Sequence, residues 1–426
     1  MKILLLNQCF YPDVVSTAQH LTDLATVLSD RGHSVTVLTS DRGYDDPSVR
    51  FPRREVWNGI DIRRIPSVAW GKGNRWKRAA NFSSFLLMCA IRLLFLPRFD
   101  AVVALTSPPL LSVLAAVFVR LKGGRLCCWM MDLNPDEAIA AGWLRKDSMT
   151  ARLLVRLMNY SLRRADEIVV LDRFMKERIS NRVSANSRIS VIPPWSHSDV
   201  VQYSDSGREA FRNKHGLAGK FVVMYSGNHS PCHPLDTLLG AALKLNNRTE
   251  VAFCFIGGGS EQAKVREFAR LHKLENILCL PYQPLNELSD SLSAGDLHVV
   301  AVGNPYVGIV HPSKVYNILN IGGRILYIGP DESHITDLAP YLLEDQLISV
   351  RHGGTGEVVK RIVESLERHG LWSSGQETSG KSSQHSKEAL VPQLCTVVEA
   401  PTNPEFMFDP SVASEPALRT SNEHQS

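Results

Sequence analysis

The sequence predicts an α/β protein made of two doubly wound domains that face each other across a central cleft. Short apolar runs alternate with stretches of helical spacing, the pattern stops at Pro193-Pro194 and then restarts, and 426 residues exceed what one hydrophobic core usually serves. Apolar runs without internal alternation mark parallel strands covered by helices on both faces.

In the first unit, Lys2–Asn7 reads as a buried strand, followed by a loop to Ser16. Thr17–Arg31 is an amphipathic helix, with Ser16 as cap and Gly32 as stop. Strands follow at Ser34–Thr39, Ile60–Ile65, Ala101–Leu105, Arg125–Met131, Glu167–Val170 and Ile189–Ile192, with helices at Leu110–Leu121 and Met149–Arg164. The second unit alternates strands at Phe221–Ser226, Val251–Ile256, Ile277–Leu280, Leu297–Val300 and Ile325–Ile328 with helices at Pro234–Leu245, Gln262–His272, Leu285–Ala294 and Ser313–Ile321. The expected division is therefore 1–194, 195–370 and a tail at 371–426. The final helix of the second unit is free to pack back on the first. The tail is rich in Ser, Gln, Pro, Thr and Glu and poor in aromatics, so it reads as flexible, with Leu390–Val398 open to docking as a short strand.

An apolar fraction of 44% and a charged fraction of 21% are those of an ordinary globular protein. A formal charge of +4, without a dominant basic block, argues against nucleic acid as partner. Basic residues do gather between Arg50 and Arg98, which suits an anionic surface or a phosphorylated ligand. Eight scattered cysteines with no CxxC pair point to buried thiols in a reducing compartment. Met1–Leu6 meets polar residues too soon for a signal peptide, and Phe82–Phe99, broken by Arg92 and Pro97, is too short to span a bilayer. With Trp76, Lys77 and Arg78 ahead of it, that run is either an interfacial helix or an internally packed one.

Four motifs can carry chemistry. Tyr225–Asp236 runs from a strand through Gly227, Asn228 and His229 to His233 and a helix; its glycine permits close backbone approach, and its histidines can donate to a diphosphate. A surface loop is the plainer alternative, and zinc on His229, Cys232 and His233 lacks a complete ligand set. Gly257, Gly258 and Gly259 follow a buried strand and suit either a nucleotide or close packing, without a dinucleotide fingerprint or a Walker lysine. In His311–Tyr316, Pro312 sets up a helix start that places Ser313 and Lys314 where a cation balances a leaving diphosphate. Asp132, at a strand end in Met131–Glu137, is positioned either as a base toward an acceptor or as a structural hydrogen-bond acceptor, while Asp136 and Glu137 read as helix caps. The loop Tyr11–His20 offers Ser16, Thr17 and His20 on the acceptor side, His20 being equally suited to a helix interior.

With these residues in place, the chain resembles the retaining GT-B glycosyltransferases of family 4 over about residues 1–370. It is most similar to the subgroup of bacterial capsule, exopolysaccharide and O-antigen assembly that includes L-fucosamine and colanic-acid-type transferases. The marks are YPDVVSTAQHL, TSPPL, DLNPD, YSGNH, GGG and HPSKVYNIL, in that order. The resemblance implies two Rossmann-like domains, with a UDP-sugar on the C-terminal one and an acceptor on the N-terminal one. It further implies retention of configuration, no required metal or other cofactor, and work at the cytoplasmic face of the membrane on polyprenyl-diphosphate-linked saccharides. On this likeness Asp132, Lys314 and His233 are the catalytic candidates. Gly227, Asn228, His229, Gly257, Gly258, Gly259, Ser313, Tyr316 and Asn317 form the nucleotide-sugar site. The chain departs from the broad family at Asn228 and His233, where Arg and Lys are usual, at Ile309 and Asn317, where a glutamate pair is usual, and at Asn320–Ile325, which lacks a proline. Two other functions fit such a cleft: a nucleotide-sugar epimerase, which needs carboxylates aligned for proton abstraction, and a noncatalytic scaffold, which has no need of Lys314.

Overall fold

The structure is a computed structural model that describes residues 1–44, 46–68, 75–183, 188–196, 201–368 and 385–401, with backbone only at 75–78. Its first half holds β1 (Lys2–Leu6), β2 (Ser34–Ser40), β3 (Arg54–Trp57), β4 (Ile60–Ile65), β5 (Ala101–Ala104), β6 (Arg125–Trp129), β7 (Glu167–Val170) and β8 (Arg188–Val191). They form one sheet in the order β3-β4-β2-β1-β5-β6-β7-β8. Every pair is parallel except the β3–β4 hairpin. That hairpin turns on Asn58 and Gly59, both at positive φ, a geometry the Asn-Gly pair favours. The helices of this half are α1 (Ser16–Asp30), α2 (Arg75–Leu94), α3 (Leu111–Lys122), α4 (Asp136–Ala140), α5 (Met149–Arg164) and α6 (Arg173–Ser180).

After α7 (Asp205–Lys214), the second half has β9 (Phe221–Asn228), β10 (Val251–Gly258), β11 (Ile277–Leu280), β12 (Leu297–Ala301), β13 (Ile325–Ile328) and β14 (Leu347–Val350). These are all parallel, in the order β11-β10-β9-β12-β13-β14. Its helices are α8 (Asp236–Lys244), α9 (Gln262–Leu271), α10 (Leu288–Ser293), α11 (Lys314–Asn320) and α12 (Thr355–Glu367). Strand order reverses beside β1 and beside β9, so the loops leaving these two strands open the crevices where such sheets bind ligands. The expectation of two doubly wound sheets is thus met.

The halves share an apolar seam. Cys232, Tyr306, Ile309 and Val310 of the second half pack into the same cluster as β1, β5 and β6 of the first. Trp195, expected to begin the second unit, is buried in the first, beside Trp129 and with its Nε1 donating to Asp23 at 2.8 Å.

The tail expectation needs correction. Lys387–Glu399 is neither flexible nor a strand but a helix, α13, capped by the Ser386 hydroxyl. Leu390, Val391, Leu394, Cys395 and Val398 recur at helical spacing and are buried against the first half. Lys387 pairs with Asp23 at 2.6 Å, and Glu399 meets Arg31 and His33 at 2.8 Å each. The polar composition around this stretch hides an amphipathic helix with a ready partner in α1. Residues 402–426 and 369–384 lie outside the described residues.

Candidate active site

The glycines do what close approach requires. Gly227 and Gly257 are register partners at the ends of β9 and β10, both at positive φ. A Cβ on Gly257 would stand 2.0 Å from the Gly227 carbonyl oxygen, and one on Gly259 would stand 2.2 Å from that of His229. Gly258 accepts from the His229 N–H at 2.7 Å and carries the Tyr282 ring against its open face. Only residues without a side chain let these two loops lie on one another. Asn228 is exposed at the rim, where its carbonyl oxygen accepts from the Tyr225 hydroxyl.

Lys314 reaches back from the first turn of α11 toward this cradle. Its Nζ stands 3.5 Å above the Tyr225 ring and 3.4 Å from where a Gly227 Cβ would lie. The stem is partly exposed, yet the ammonium touches no solvent and has no hydrogen-bond partner among the described residues. Burial pushes it down to about 7. His229 directs Nδ1 to the Gly227 carbonyl at 3.1 Å and leaves Nε2 without a hydrogen-bond partner among the described residues. His233 donates from Nδ1 to the Ala301 carbonyl at 2.8 Å. Burial first, and Lys314 second, hold His229 down at about 4 and His233 at about 3. Lys314 therefore keeps its donors unspent among the described residues, beside two imidazoles that burial holds neutral, and the His229 Nε2, opposite an Nδ1 that donates, is left as an acceptor.

On the other wall stands Asp132, whose backbone N–H donates to the Thr106 hydroxyl at 3.3 Å. Burial, helped by Glu137, pushes its carboxyl up to about 7. Glu137, read from the sequence as a cap, instead accepts from the Cys232 thiol at 3.6 Å and from Asn134 at 3.3 Å. Cys232 thereby turns away from His229 and His233, so these three do not form a metal-ligand set. Among the described residues, Asp172, His311 and His334 come closest to one. Their lone pairs do not converge on a metal: Asp172 and His311 are bonded to protein partners, and the His311 and His334 rings are stacked 3.9 Å apart.

The acceptor-side residues have different fates. Ser16 is exposed and its hydroxyl meets that of Ser313 across the cleft at 3.3 Å. Thr17 is half-buried against Cys9. His20 is buried, bonding the Ser16 carbonyl through Nδ1 and the Trp195 carbonyl through Nε2, so it supports the loop from behind. Tyr316 is likewise buried, with its hydroxyl on His311 at 2.9 Å, while Asn317 is half-buried one turn beyond Lys314. Asp172 and His334 were missed by sequence reading and Glu137 was read only as a cap, because Asp172 and Glu137 have partners roughly a hundred or more residues away and His334 meets a stacked ring.

Residues 17–195 match the glycosyl transferase 4-like domain family. WcaI of Escherichia coli (strain K12), a glycosyl transferase assigned to colanic acid biosynthesis, is 24% identical over 337 residues, 76% of this chain and 82% of WcaI. The glycosyltransferase WbjE of Pseudomonas aeruginosa is 28% identical over 243 residues, 56% of this chain and 60% of WbjE. Among solved structures, sucrose-phosphate synthase of Thermosynechococcus elongatus superposes with a TM-score of 0.71 at 13% identity, covering 93% of this chain and 98% of the synthase. Anabaena HepE, solved with UDP and glucose, gives 0.68 at 16% identity, covering 94% of this chain and 100% of HepE. The fold is GT-B, and the chain is a distant relative of bacterial surface-polysaccharide glycosyltransferases.

Proposed function

We propose that this protein transfers a sugar, with retention of configuration, from a UDP-sugar to a polyprenyl-diphosphate-linked saccharide in surface-polysaccharide synthesis. The carrying observation is the Lys314 ammonium, out of solvent and without an acceptor, set over a glycine cradle beside His229 and His233. A desolvated, unpaired cation costs stability unless a ligand supplies the counter-charge. The UDP complexes of HepE support the choice of nucleotide.

In this reading residues 195–370 hold the donor and residues 1–194 the acceptor, facing each other across the seam. The bond from the sugar C1 to the diphosphate oxygen breaks with its electron pair leaving on UDP. The acceptor oxygen bonds to C1 on the same face, and its proton passes to Asp132. Lys314 acts on the charge that grows on the departing diphosphate, the place where fixed donors lower a barrier most, and His229 and His233 line the same cradle. This scheme invokes no metal or other cofactor, because the Lys314 ammonium supplies the charge compensation.

A lipid-linked acceptor calls for contact with a membrane, and α2 offers a face for it at the cytoplasmic surface. No described helix is long and apolar enough to cross a bilayer. Leu87, Ile91, Leu94 and Phe95 are nonetheless exposed along one side, with exposed Arg92 and Arg98 beside them. Trp76, Lys77 and Arg78 have side chains outside the described residues.

The test is calorimetry with UDP and a panel of UDP-sugars without added metal, on the wild type and on Lys314→Met. The wild type should bind, and K314M should lose on the order of a hundredfold in affinity or turnover, with its melting temperature unchanged or raised. Equal UDP affinity in the two proteins would remove Lys314, and with it this reading of the site.

A further inference from the structure

Lys314 raises a question of placement. Its ammonium makes no hydrogen bond among the described residues, so apart from the Tyr225 ring its position is set by the backbone on either side of it. Both flanks lead to the same residue in the other half. Three residues before it, His311 donates from Nδ1 to the Asp172 carboxylate at 2.8 Å. Two residues after it, Tyr316 donates its hydroxyl to Nε2 of the same ring at 2.9 Å. Asp172 fixes this tautomer because an ionised carboxylate only accepts, which leaves Nε2 free to accept in turn.

Asp172 is itself held rigidly. It follows β7, caps α6 by accepting from the Met175 N–H at 2.8 Å, and its side chain is 5% accessible. Burial pushes its carboxyl up, but the His311 hydrogen bond and the His311 and His334 rings outweigh this and hold it down at about 2. His334, with neither nitrogen hydrogen-bonded among the described residues and its Nδ1 4.0 Å from the Asp172 carboxylate, closes one face of His311. On the far side, the Tyr316 ring lies against His385, whose carbonyl accepts from the Ser196 N–H at 3.2 Å. The string Asp172–His311–Tyr316 thus starts in the first half, ends in the second, and abuts both segments that join them.

We propose that Asp172 is a positioning residue for the donor site, carrying the closed arrangement of the two halves through His311 and Tyr316 to the Lys314 ammonium. The proposal rests on the donor-site reading given above. Asp172 touches no substrate in it. When the halves separate, His311 loses its acceptor, the turn His311–Lys314 relaxes, and the ammonium leaves its place over Gly227.

Titration of UDP into the wild type, D172A, D172N, Y316F and K314M, each paired with a thermal melt, tests this. D172A should weaken UDP binding about tenfold, since displacements of an ångström at such sites cost that much or more. Y316F removes only a hydroxyl and should weaken binding severalfold. D172N keeps an oxygen able to accept from His311 and cap α6, so it should recover most of the affinity. A role confined to stability predicts a lower melting temperature for D172A, with UDP affinity of the folded protein and of Y316F at the wild-type value; that result overturns the proposal. Should D172A not fold, Y316F decides alone. If K314M binds UDP like the wild type, the donor-site reading falls and the positioning role with it. If K314M loses UDP while Y316F and D172A keep it, only the positioning role falls.

Discussion

Lys314 is a lysine whose protonation should follow its ligand. Its value is about 7 in the folded chain, against about 10.4 when exposed, so between these limits the unfolded chain binds more protons than the folded one. Stability on this account rises with pH across that window, because the cost of burying a cation fades as the folded group loses its proton. An incoming diphosphate favours the charged form and reverses the shift. Binding of UDP at pH 8.5 should therefore take up about one proton, visible as a dependence of the calorimetric heat on the ionisation enthalpy of the buffer. Heats that do not depend on the buffer would mean that the ammonium does not meet the nucleotide. At this scale the lysine, the glycines and the two histidines could be singled out in the sequence, because each sits in a short motif with its own local logic. It hid Asp172, whose capping role is local but whose partner His311 is 139 residues away. Glu137 was misread for the same reason: its helix-start position was visible, and Cys232 was not.

Secondary elements were legible where burial is two-sided. Ile3–Leu6 and Val251–Ile256 are continuous apolar runs, and both are central strands. The hairpin strand β3 escaped, although Asn58-Gly59 announces its turn, because its alternating burial leaves no apolar run. Helix α2 shows what periodicity cannot decide. Phe85, Cys89, Leu93 and Leu96 are buried, while Leu87, Ile91, Leu94 and Phe95 are exposed, so both faces are apolar and only packing tells which is turned inward. Of the two alternatives left by the sequence, internal packing is seen on one side of the helix, and the other side is exposed. Changing Leu94 and Phe95 to Asp should reduce flotation with vesicles rich in anionic lipid while leaving UDP affinity intact. Leu93 must stay, since it belongs to the core. Unchanged flotation of the folded variant would remove α2 from the membrane surface.

For the molecule as a whole, the alternation of strands and helices foretold two sheets but not how they meet. The contacts between halves are single groups scattered along the chain: Leu133 N–H to the Ile309 carbonyl at 2.9 Å, Arg178 to the Val307 carbonyl at 2.7 Å, Arg173 to Asp337 at 2.7 Å. None has a local signature. The return of α13 to the first half was equally hidden, and it can be tested by ending the chain after residue 385. Loss of five buried apolar side chains from the α1 surface should lower the melting temperature by more than about 5 °C. An unchanged melt would mean that α13 contributes no net stability. Because α13 belongs to the first half, the polypeptide passes between the halves twice, and the two passages touch where Ser196 bridges Ser386. Two adjacent strands of chain resist torsion far better than one. A hinge at that bridge restrains twisting of one half against the other, and separation of the halves breaks the Asp172–His311 hydrogen bond together with the other contacts between them.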